Sequence, residues 1–461
     1  MEKPSLDDYK IYLKDIKQFP IPYIKTNGII KLKEDETSVI IGYTSKLPLK
    51  KKSGLNHLLK DKTLEYIQIN QSELTSYISK SDSSLSGDTQ QNLQENDLNR
   101  LAHDAPVINL VNSIIIDGIN LNASDIHIEG YKNHIDLRFR VDGVLIEGDS
   151  IKKSLFPGIS SRIKIMANLN IMERRVPQDG RVSVKLEDTS VDLRISIVPI
   201  SSGESIVLRL FIKKDNLKSL EDLGYRGDNL NRLKMVTKYP HGLILITGPT
   251  GSGKTTTLNA MLQELNCREK KIITIEDPVE YNIPGVNQIE VKANINLGFS
   301  DILRRVLRQD PDVIMIGEIR DKETAELVIR ASLTGHLVLS TLHTNDAISV
   351  ISRLKDLGIP DYLITSVLRA SFAQRLIRKT CNSCQGSGCK SCLDSGYKGR
   401  IAISEGFLLN NKIEELILDR AKPYQIKKHL ISQGFIDLYK AGDSLVNCGL
   451  TTKSELQRIL S

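Results

Sequence analysis

The sequence predicts an α/β protein. A domain with a parallel sheet follows a mixed α+β sheet domain and a small N-terminal module. Two patterns carry this expectation. Apolar, β-branched runs at 243–246, 272–275, 313–316 and 337–340 alternate with segments of helical spacing. That β-α-β-α order requires parallel strands covered by helices on both faces. Upstream, Ile135, Leu137, Phe139 and Val141 alternate with Asp136, Arg138 and Arg140, and Val191, Leu193, Ile195 and Ile197 alternate with Asp192, Arg194 and Ser196. Period-2 alternation marks strands with one buried and one solvated face.

Length and composition allow this architecture. A chain of 461 residues suggests about three domains. Hydrophobic residues are 40% and charged residues 26%, enough for a sizeable core. Lys plus Arg is 63 against Asp plus Glu 56, a net +7 that argues only weakly for a nucleic-acid partner. No apolar run reaches the ~18 residues that span a membrane. Residues 1–19 carry charge throughout and do not read as a secretory signal. Four of the six cysteines fall between Cys381 and Cys392, a clustering that points to metal and a reducing compartment.

In chain order, residues 1–80 read as a small α/β interaction module. It has short strands at 39–41 and 66–69 and a short helix after Ser72. Residues 81–100 are rich in Ser, Asp, Gln, Asn and Glu, the composition of a flexible linker. Residues 101–213 form the sheet-rich domain, with Val107, Leu110, Val111, Ile114 and Ile115 at helical spacing and Asp142-Gly143 as a hairpin turn. Residues 214–461 form the parallel-sheet domain. It includes a cysteine subdomain at 376–400 and, after Gly399, a helical region at 401–461. There Ile413, Leu416, Ile417, Ile426 and Leu430 keep helical spacing and Thr452-Lys453-Ser454-Glu455 reads as a capping box.

The strand at 243–247 runs into Gly248-Pro249-Thr250-Gly251-Ser252-Gly253-Lys254-Thr255, with Thr256 opening the next helical segment. This is G-x-x-x-x-G-K-[ST] in strand–loop–helix context. Its glycines let backbone N–H groups approach phosphate oxygens, and the helix dipole favours their charge. Lys254 reaches the β and γ phosphates, and Thr255 offers a hydroxyl to Mg²⁺. A nucleoside triphosphate, with ATP favoured, is the expected ligand. No Asn-Lys-x-Asp guanine signature occurs.

In an open α/β sheet the polar residues just beyond the strands face the ligand. Glu276 follows 272–275, and Glu318 follows 313–316 after Gly317. γ-Phosphate hydrolysis needs a group to polarise water and acids to hold hydrated Mg²⁺. Glu318 is the expected water-polarising base and Glu276 the second acid, while Glu323 and Glu326 read as solvated helix residues. His343 follows the fourth strand and can sense the γ-phosphate by a hydrogen bond. His336 precedes that strand and suits a structural role. Cys381-x₂-Cys384-x₄-Cys389-x₂-Cys392 gives four thiolates for tetrahedral Zn²⁺ in a closed structural site, with an iron–sulfur cluster as the alternative. Cys267 and Cys448 read as ordinary thiols.

Together these motifs resemble the type II secretion and type IV pilus assembly ATPase family. The phosphate loop is followed by Thr274-Ile275-Glu276-Asp277-Pro278-Val279-Glu280-Tyr281, by the 309–321 region and by the 334–345 histidine box. Upstream, Ala123-Ser124-Asp125-Ile126-His127-Ile128-Glu129 and Arg174-Arg175-Val176-Pro177-Gln178-Asp179-Gly180-Arg181 match as well. The resemblance implies a homohexameric ring of RecA-like ATPase domains. Each is preceded by a mobile domain whose arginines reach phosphates across a cleft; Arg181 and Arg194 match those positions. It also implies work on pseudopilus assembly at the cytoplasmic face of the inner membrane. Residues 1–80 would dock there on the cytoplasmic domain of a platform protein, making the ATPase peripheral on the membrane. Secretion members typically carry a longer insert between their cysteine knuckles than the four residues here. The short N-terminal module leans toward type II secretion over pilus extension. Two further readings compete: a nucleic-acid translocating motor and a nucleotide-gated scaffold that does not hydrolyse. The first has no stacking platform to draw on, since aromatics are 5% and Trp is absent, so no nucleic acid is expected.

Overall fold

A computed structural model of the chain describes residues 101–461 apart from 187–188, 213–217, 293–294 and 296. Within the first hundred residues it describes 28–35, 37–44 and 62–70 together with isolated positions. The expected linker at 81–100 lies outside the described residues except Leu98. Of the short helix after Ser72, only Glu73 and Leu74 are described. The chain divides into two compact units, Met1–Gln94 and Glu95–Ser461.

In the first unit, β1 (Ile29–Glu34), β2 (Ser38–Tyr43) and β3 (Thr63–Gln68) form a sheet in that order. β1 and β2 are antiparallel, while β2 and β3 are parallel. Alternation divides the apolar residues between two clusters. Ile29, Val39 and Ile41 pack with Leu55, and Ile30 and Leu32 pack with Ile24, Ile69 and Leu74.

The second unit begins with α1 (Ala105–Asn120), then β4 (Asp125–Gly130), β5 (Ile135–Val141), β6 (Val144–Glu147), α2 (Phe156–Met166), β7 (Gln178–Leu186), β8 (Thr189–Ile200) and β9 (Gly203–Ile212). The strands make one antiparallel sheet of order β6-β5-β4-β9-β8-β7. Its alternate apolar residues, from Ile126 and Ile128 to Leu208 and Leu210, bury against Val107, Val111, Ile114 and Ile115 of α1 and Ile159 and Ile163 of α2. The other face is charged and polar for the most part, with Val198, Val207 and Phe211 among its residues. Asp142 and Gly143 turn the β5–β6 hairpin with φ of 50° and 86°, as the sequence predicts.

The parallel-sheet region runs α3 (Gly227–Val236), β10 (Gly242–Thr247), α4 (Lys254–Leu265), β11 (Ile272–Glu276), β12 (Asn287–Glu290), α5 (Phe299–Val306), β13 (Val313–Ile316), α6 (Lys322–Leu333), β14 (Leu337–Leu342), α7 (Ser349–Asp356), α8 (Asp361–Val367), β15 (Leu368–Thr380), β16 (Tyr397–Leu408), α9 (Asn411–Leu418), α10 (Pro423–Ser432), α11 (Leu438–Asn447) and α12 (Lys453–Leu460). Strand order is β12-β11-β13-β14-β10-β15-β16, parallel except for β16. Both faces are buried. Leu243 and Leu245 join one core with Ile273, Ile275, Ile314 and Ile316. Ile244 and Ile246 join the other with Ile272, Val313 and Met315.

Two expectations need correction. The chain after Gly399 is not helical at once: residues 397–408 form β16, paired antiparallel with β15. Positions 401–407 are buried without a break, so no period distinguishes this strand from a buried helix. The capping box at Thr452 is half formed. The Thr452 side chain accepts the Glu455 N–H, but the Glu455 carboxylate is taken by Arg378 and Arg458.

Candidate active site

The phosphate loop leaves the centre of the parallel sheet. β10 ends at Thr247, whose hydroxyl donates to the Leu342 carbonyl at 2.9 Å and accepts the Thr344 N–H at 2.8 Å. One threonine thus ties the loop's entry to the histidine box. Gly248 has φ of 145°, and a Cβ there would lie 2.5 Å from the Gln374 carbonyl oxygen, so only glycine fits. Gly253 caps α4 in the left-handed region at φ of 84°. The loop then delivers its N–H groups and the positive end of α4 to one spot.

Lys254 lies across this loop. Its Nζ donates to the carbonyls of Gly248 at 2.9 Å and Pro249 at 3.1 Å. Burial lowers its pKa to about 8, with the Glu318 carboxylate opposing and Arg375 assisting. Glu318 is therefore close enough to Lys254 to share its field. Glu318 also pairs with Arg320, and His343 Nε2 lies 3.4 Å from its Oε2. The structure thus brings Lys254, Glu318 and His343 together at the C-terminal strand ends. His336 sits at the other end of β14, its Nδ1 2.9 Å from the Ala331 carbonyl, a local fastening. Glu323 and Glu326 pair with Arg304 and Lys322 on the surface.

Glu276 ends β11 and is 2% exposed. Thr274 Oγ1 donates to its Oε1 at 2.6 Å and Gln288 Nε2 at 3.0 Å, while Oε2 is buried with no partner among the described residues. Burial pushes its pKa up despite these bonds, and Glu280 is raised first by burial and then by Glu276. An unsatisfied buried carboxylate oxygen of this kind suits a hydrated cation or a water. Half-buried Thr255 at the start of α4 offers a hydroxyl, so both residues carry oxygen donors of the kind Mg²⁺ takes.

Arg181 reaches from the antiparallel sheet to the same edge, its Nη1 2.5 Å from Glu290 Oε1 and its Nη2 3.8 Å from Asp277 Oδ1. Cross-strand register places Arg181 opposite Arg194, Arg194 opposite Arg209, Arg209 opposite Asp125 and Asp125 opposite Arg140. Directly opposed residues share a face, so four arginines and one aspartate form a row across the polar side. Asp125 accepts from Arg209 Nε at 2.8 Å. Arg209, Arg140 and Asp125 were not singled out as site residues from the sequence. The clue was register: Arg209 falls opposite Arg194 once the β8–β9 turn is placed at 201–202.

The four cysteines converge. Their Sγ atoms all lie within 4.8 Å of one another, with Cys381–Cys389 at 4.0 Å and Cys384–Cys392 and Cys389–Cys392 each at 3.7 Å. Tetrahedral zinc with bonds of ~2.3 Å separates its sulfurs by about 3.8 Å, so the donors fit. The four-residue link can turn this tightly because three of its residues, Gln385, Gly386 and Gly388, adopt positive φ. The module hangs between β15 and β16 and is braced by Arg378, which stacks on Tyr397 at 4.2 Å and pairs with buried Glu455 at 2.8 Å. Cys267 and Cys448 are exposed and free.

Comparison with known proteins agrees with this layout. The family described as type II/IV secretion system protein matches residues 100–458. Type II secretion system protein E of Xanthomonas campestris is 44% identical over 389 residues, taking in 78% of this chain and 69% of the relative. Type II secretion system ATPase E of Vibrio cholerae is 42% identical, over 79% of this chain and 78% of its own. The type IV pilus assembly ATPase PilB of Myxococcus xanthus is also 42% identical, over 77% and 68%. Among solved structures, the pilus retraction motor PilT with bound ADP superposes with a TM-score of 0.55 at 29% identity, over 75% of this chain and 96% of its own. The Legionella pneumophila ATPase DotB, at 20% identity and TM-score 0.59 over 75% and 93%, shares the fold.

Proposed function

The chain belongs to the type II/IV secretion system protein family, and we propose that it hydrolyses ATP to power pseudopilus assembly and protein export by a type II secretion system. The observation that carries this reading is the meeting of Lys254, Glu318 and His343 at the mouth of the phosphate loop. A scaffold that only bound nucleotide would have no use for a carboxylate placed to polarise water.

In this reading the N–H groups of 248–255 cradle the phosphates, and protonated Lys254 neutralises the β and γ oxygens. Glu318 orients and polarises the attacking water, while His343, held beside it, senses the γ-phosphate. Thr255 and Glu276 are the residues that would hold Mg²⁺, which would supply charge neutralisation for the bound phosphates. Arg181 and Arg194 lie on the sheet face that approaches this edge and bring positive charge to the transition state as the cleft closes. Cys381, Cys384, Cys389 and Cys392 would hold Zn²⁺, which would stabilise the β15–β16 hairpin apart from the chemistry.

The organisation follows the same reading: residues 1–80 dock on the cytoplasmic domain of an inner-membrane platform protein, 81–100 link, 101–213 supply arginines and 214–461 hydrolyse. The working form is a homohexamer, cytoplasmic and peripheral on the inner membrane. No helix of the described residues is long and apolar enough to cross a membrane. Pilus extension is the second reading, favoured by the 42% identity to a pilus assembly ATPase. ATP turnover by the full chain tests the core of the proposal. Lys254→Ala and Glu318→Gln should each lower kcat by about 10³-fold, the scale of losing a main electrostatic group. Turnover that persists in Glu318→Gln would sink the assignment.

A further inference from the structure

The back of the phosphate loop is gripped by two side chains that do not line its phosphate face. Gln374, on β15 and 1% exposed, donates through Nε2 to the Ser252 carbonyl at 2.6 Å. Its Oε1 accepts from the Tyr225 hydroxyl at 2.7 Å, and that hydroxyl lies 3.1 Å from Thr257 Oγ1 on α4. Tyr225 is 3% exposed and stands just before α3.

The Ser252 carbonyl and the Gly253 N–H belong to one planar peptide and point in opposite directions. Holding the carbonyl against Gln374 therefore aims the Gly253 N–H into the loop. The restraint matters because Gly253 has a φ of 84°, where glycine moves between conformations at little cost. Without a partner the peptide is free to turn its oxygen toward the phosphates, where it would repel them. Gln374 itself has two ends that an amide can exchange. A hydroxyl donating to Oε1 leaves Nε2 for Ser252. Burial pushes the Tyr225 phenol well above its ordinary pKa, so it stays a donor across the working range.

We propose that Gln374 and Tyr225 are positioning residues for nucleotide binding: Gln374 locks the Ser252–Gly253 peptide with its N–H toward the phosphates, and Tyr225 sets the orientation of the Gln374 amide. This rests on the reading of 248–255 as the ATP phosphate loop. Both residues lie outside the signature: Gln374 comes some 120 positions later and Tyr225 before the strand that feeds the loop.

The test uses the full chain as wild type, Gln374→Leu, Tyr225→Phe and the double variant, with KM and kcat for MgATP, ADP affinity by a fluorescent analogue, and thermal melting. Gln374→Leu should raise KM and the ADP Kd about tenfold with kcat within about twofold, as loss of binding shared by ground and transition states does. Tyr225→Phe should raise both about threefold, since of the two hydrogen bonds it removes only the one to Gln374 bears on the loop peptide. The double variant should match Gln374→Leu alone, because Tyr225 acts through Gln374. Tyr225→Phe keeps the ring and carries the test should Gln374→Leu fail to fold. A lowered melting temperature with KM and Kd unchanged would show a purely structural pair and overturn the proposal, as would effects that multiply in the double variant. A wild-type chain that binds no nucleotide would instead remove the reading of the loop, and this proposal with it.

Discussion

The two large sheets use the same strand chemistry in opposite ways. In the antiparallel sheet, residues facing α1 and α2 are apolar, and their neighbours present Arg140, Asp125, Arg209, Arg194 and Arg181 in a row. In the parallel sheet both faces are core, and the polar groups stand beyond the strand ends: Lys254, Glu276, Glu318 and His343. One sheet carries charge on its surface, where large areas can approach a partner. The other concentrates it at an edge, in a partly buried setting that lowers the pKa of Lys254 and raises that of Glu276. The difference follows from connection type, since crossover helices cover both faces of a parallel sheet and leave only its edge.

Core substitutions should separate the two sheets most clearly. Leu339→Ala, on a strand buried on both sides, should cost about 3 kcal/mol in chemical denaturation. Ser196→Ala, on the polar face of β8, should change stability by no more than about 0.5 kcal/mol. Equal costs would mean that the polar face of the antiparallel sheet is packed.

The arginine row comes next. Arg194→Ala and Arg209→Ala should each lower kcat by about 10²-fold, below the range known for a full arginine finger, with melting unchanged for exposed Arg194 and lowered for Arg209→Ala, which takes the 2.8 Å partner from buried Asp125. Arg181→Ala should lower it less, since Arg181 is already engaged by Glu290 and Asp277. Loss of folding in place of turnover would make the row structural.

A smaller effect reads the edge itself. In the proposed mechanism Lys254 meets phosphate in its charged form, and its pKa is lowered to about 8 by burial. The charged fraction is full below that value and falls above it, so kcat/KM should drop by about tenfold per pH unit beyond pH 8. A profile flat to pH 10 would show that the buried setting of Lys254 is relieved in the working enzyme.

The cysteine hairpin offers the mildest contrast, because one buried carboxylate, Glu455, braces it. Glu455 is held to about pKa 2, chiefly by Arg458 and Arg378 against the opposing effect of burial. A depressed carboxylate stabilises above its unfolded value and loses that contribution as pH falls toward 2. Glu455→Gln should therefore flatten the acid limb of the melting-temperature profile between about pH 4.5 and 2. An unchanged limb would place the acid sensitivity elsewhere.

Much of this was legible from short-range pattern. The phosphate loop, the four strands of 243–340, the alternation in 135–197 and the two Cys-x-x-Cys knuckles are local, and each has a local physical cause: turn geometry, strand period or ligand spacing. β16 was illegible because a run buried on all sides has no period. Gln374 and Arg209 were illegible for a different reason. Each acts on a residue brought close only by pairing, Gln374 on Ser252 through β10 and β15, and Arg209 on Asp125 through β4 and β9.

By itself, then, the sequence determined the phosphate loop, the acids after their strands, the cysteine cluster and the α/β class, because these depend on neighbours along the chain. Only the tertiary structure decided that Glu318 sits in the field of Lys254, that Glu276 is buried with one oxygen unpaired among the described residues, and that the arginines align in one row. Those properties arise from burial and register. Both depend on which distant strands pack together, and no local spacing encodes that.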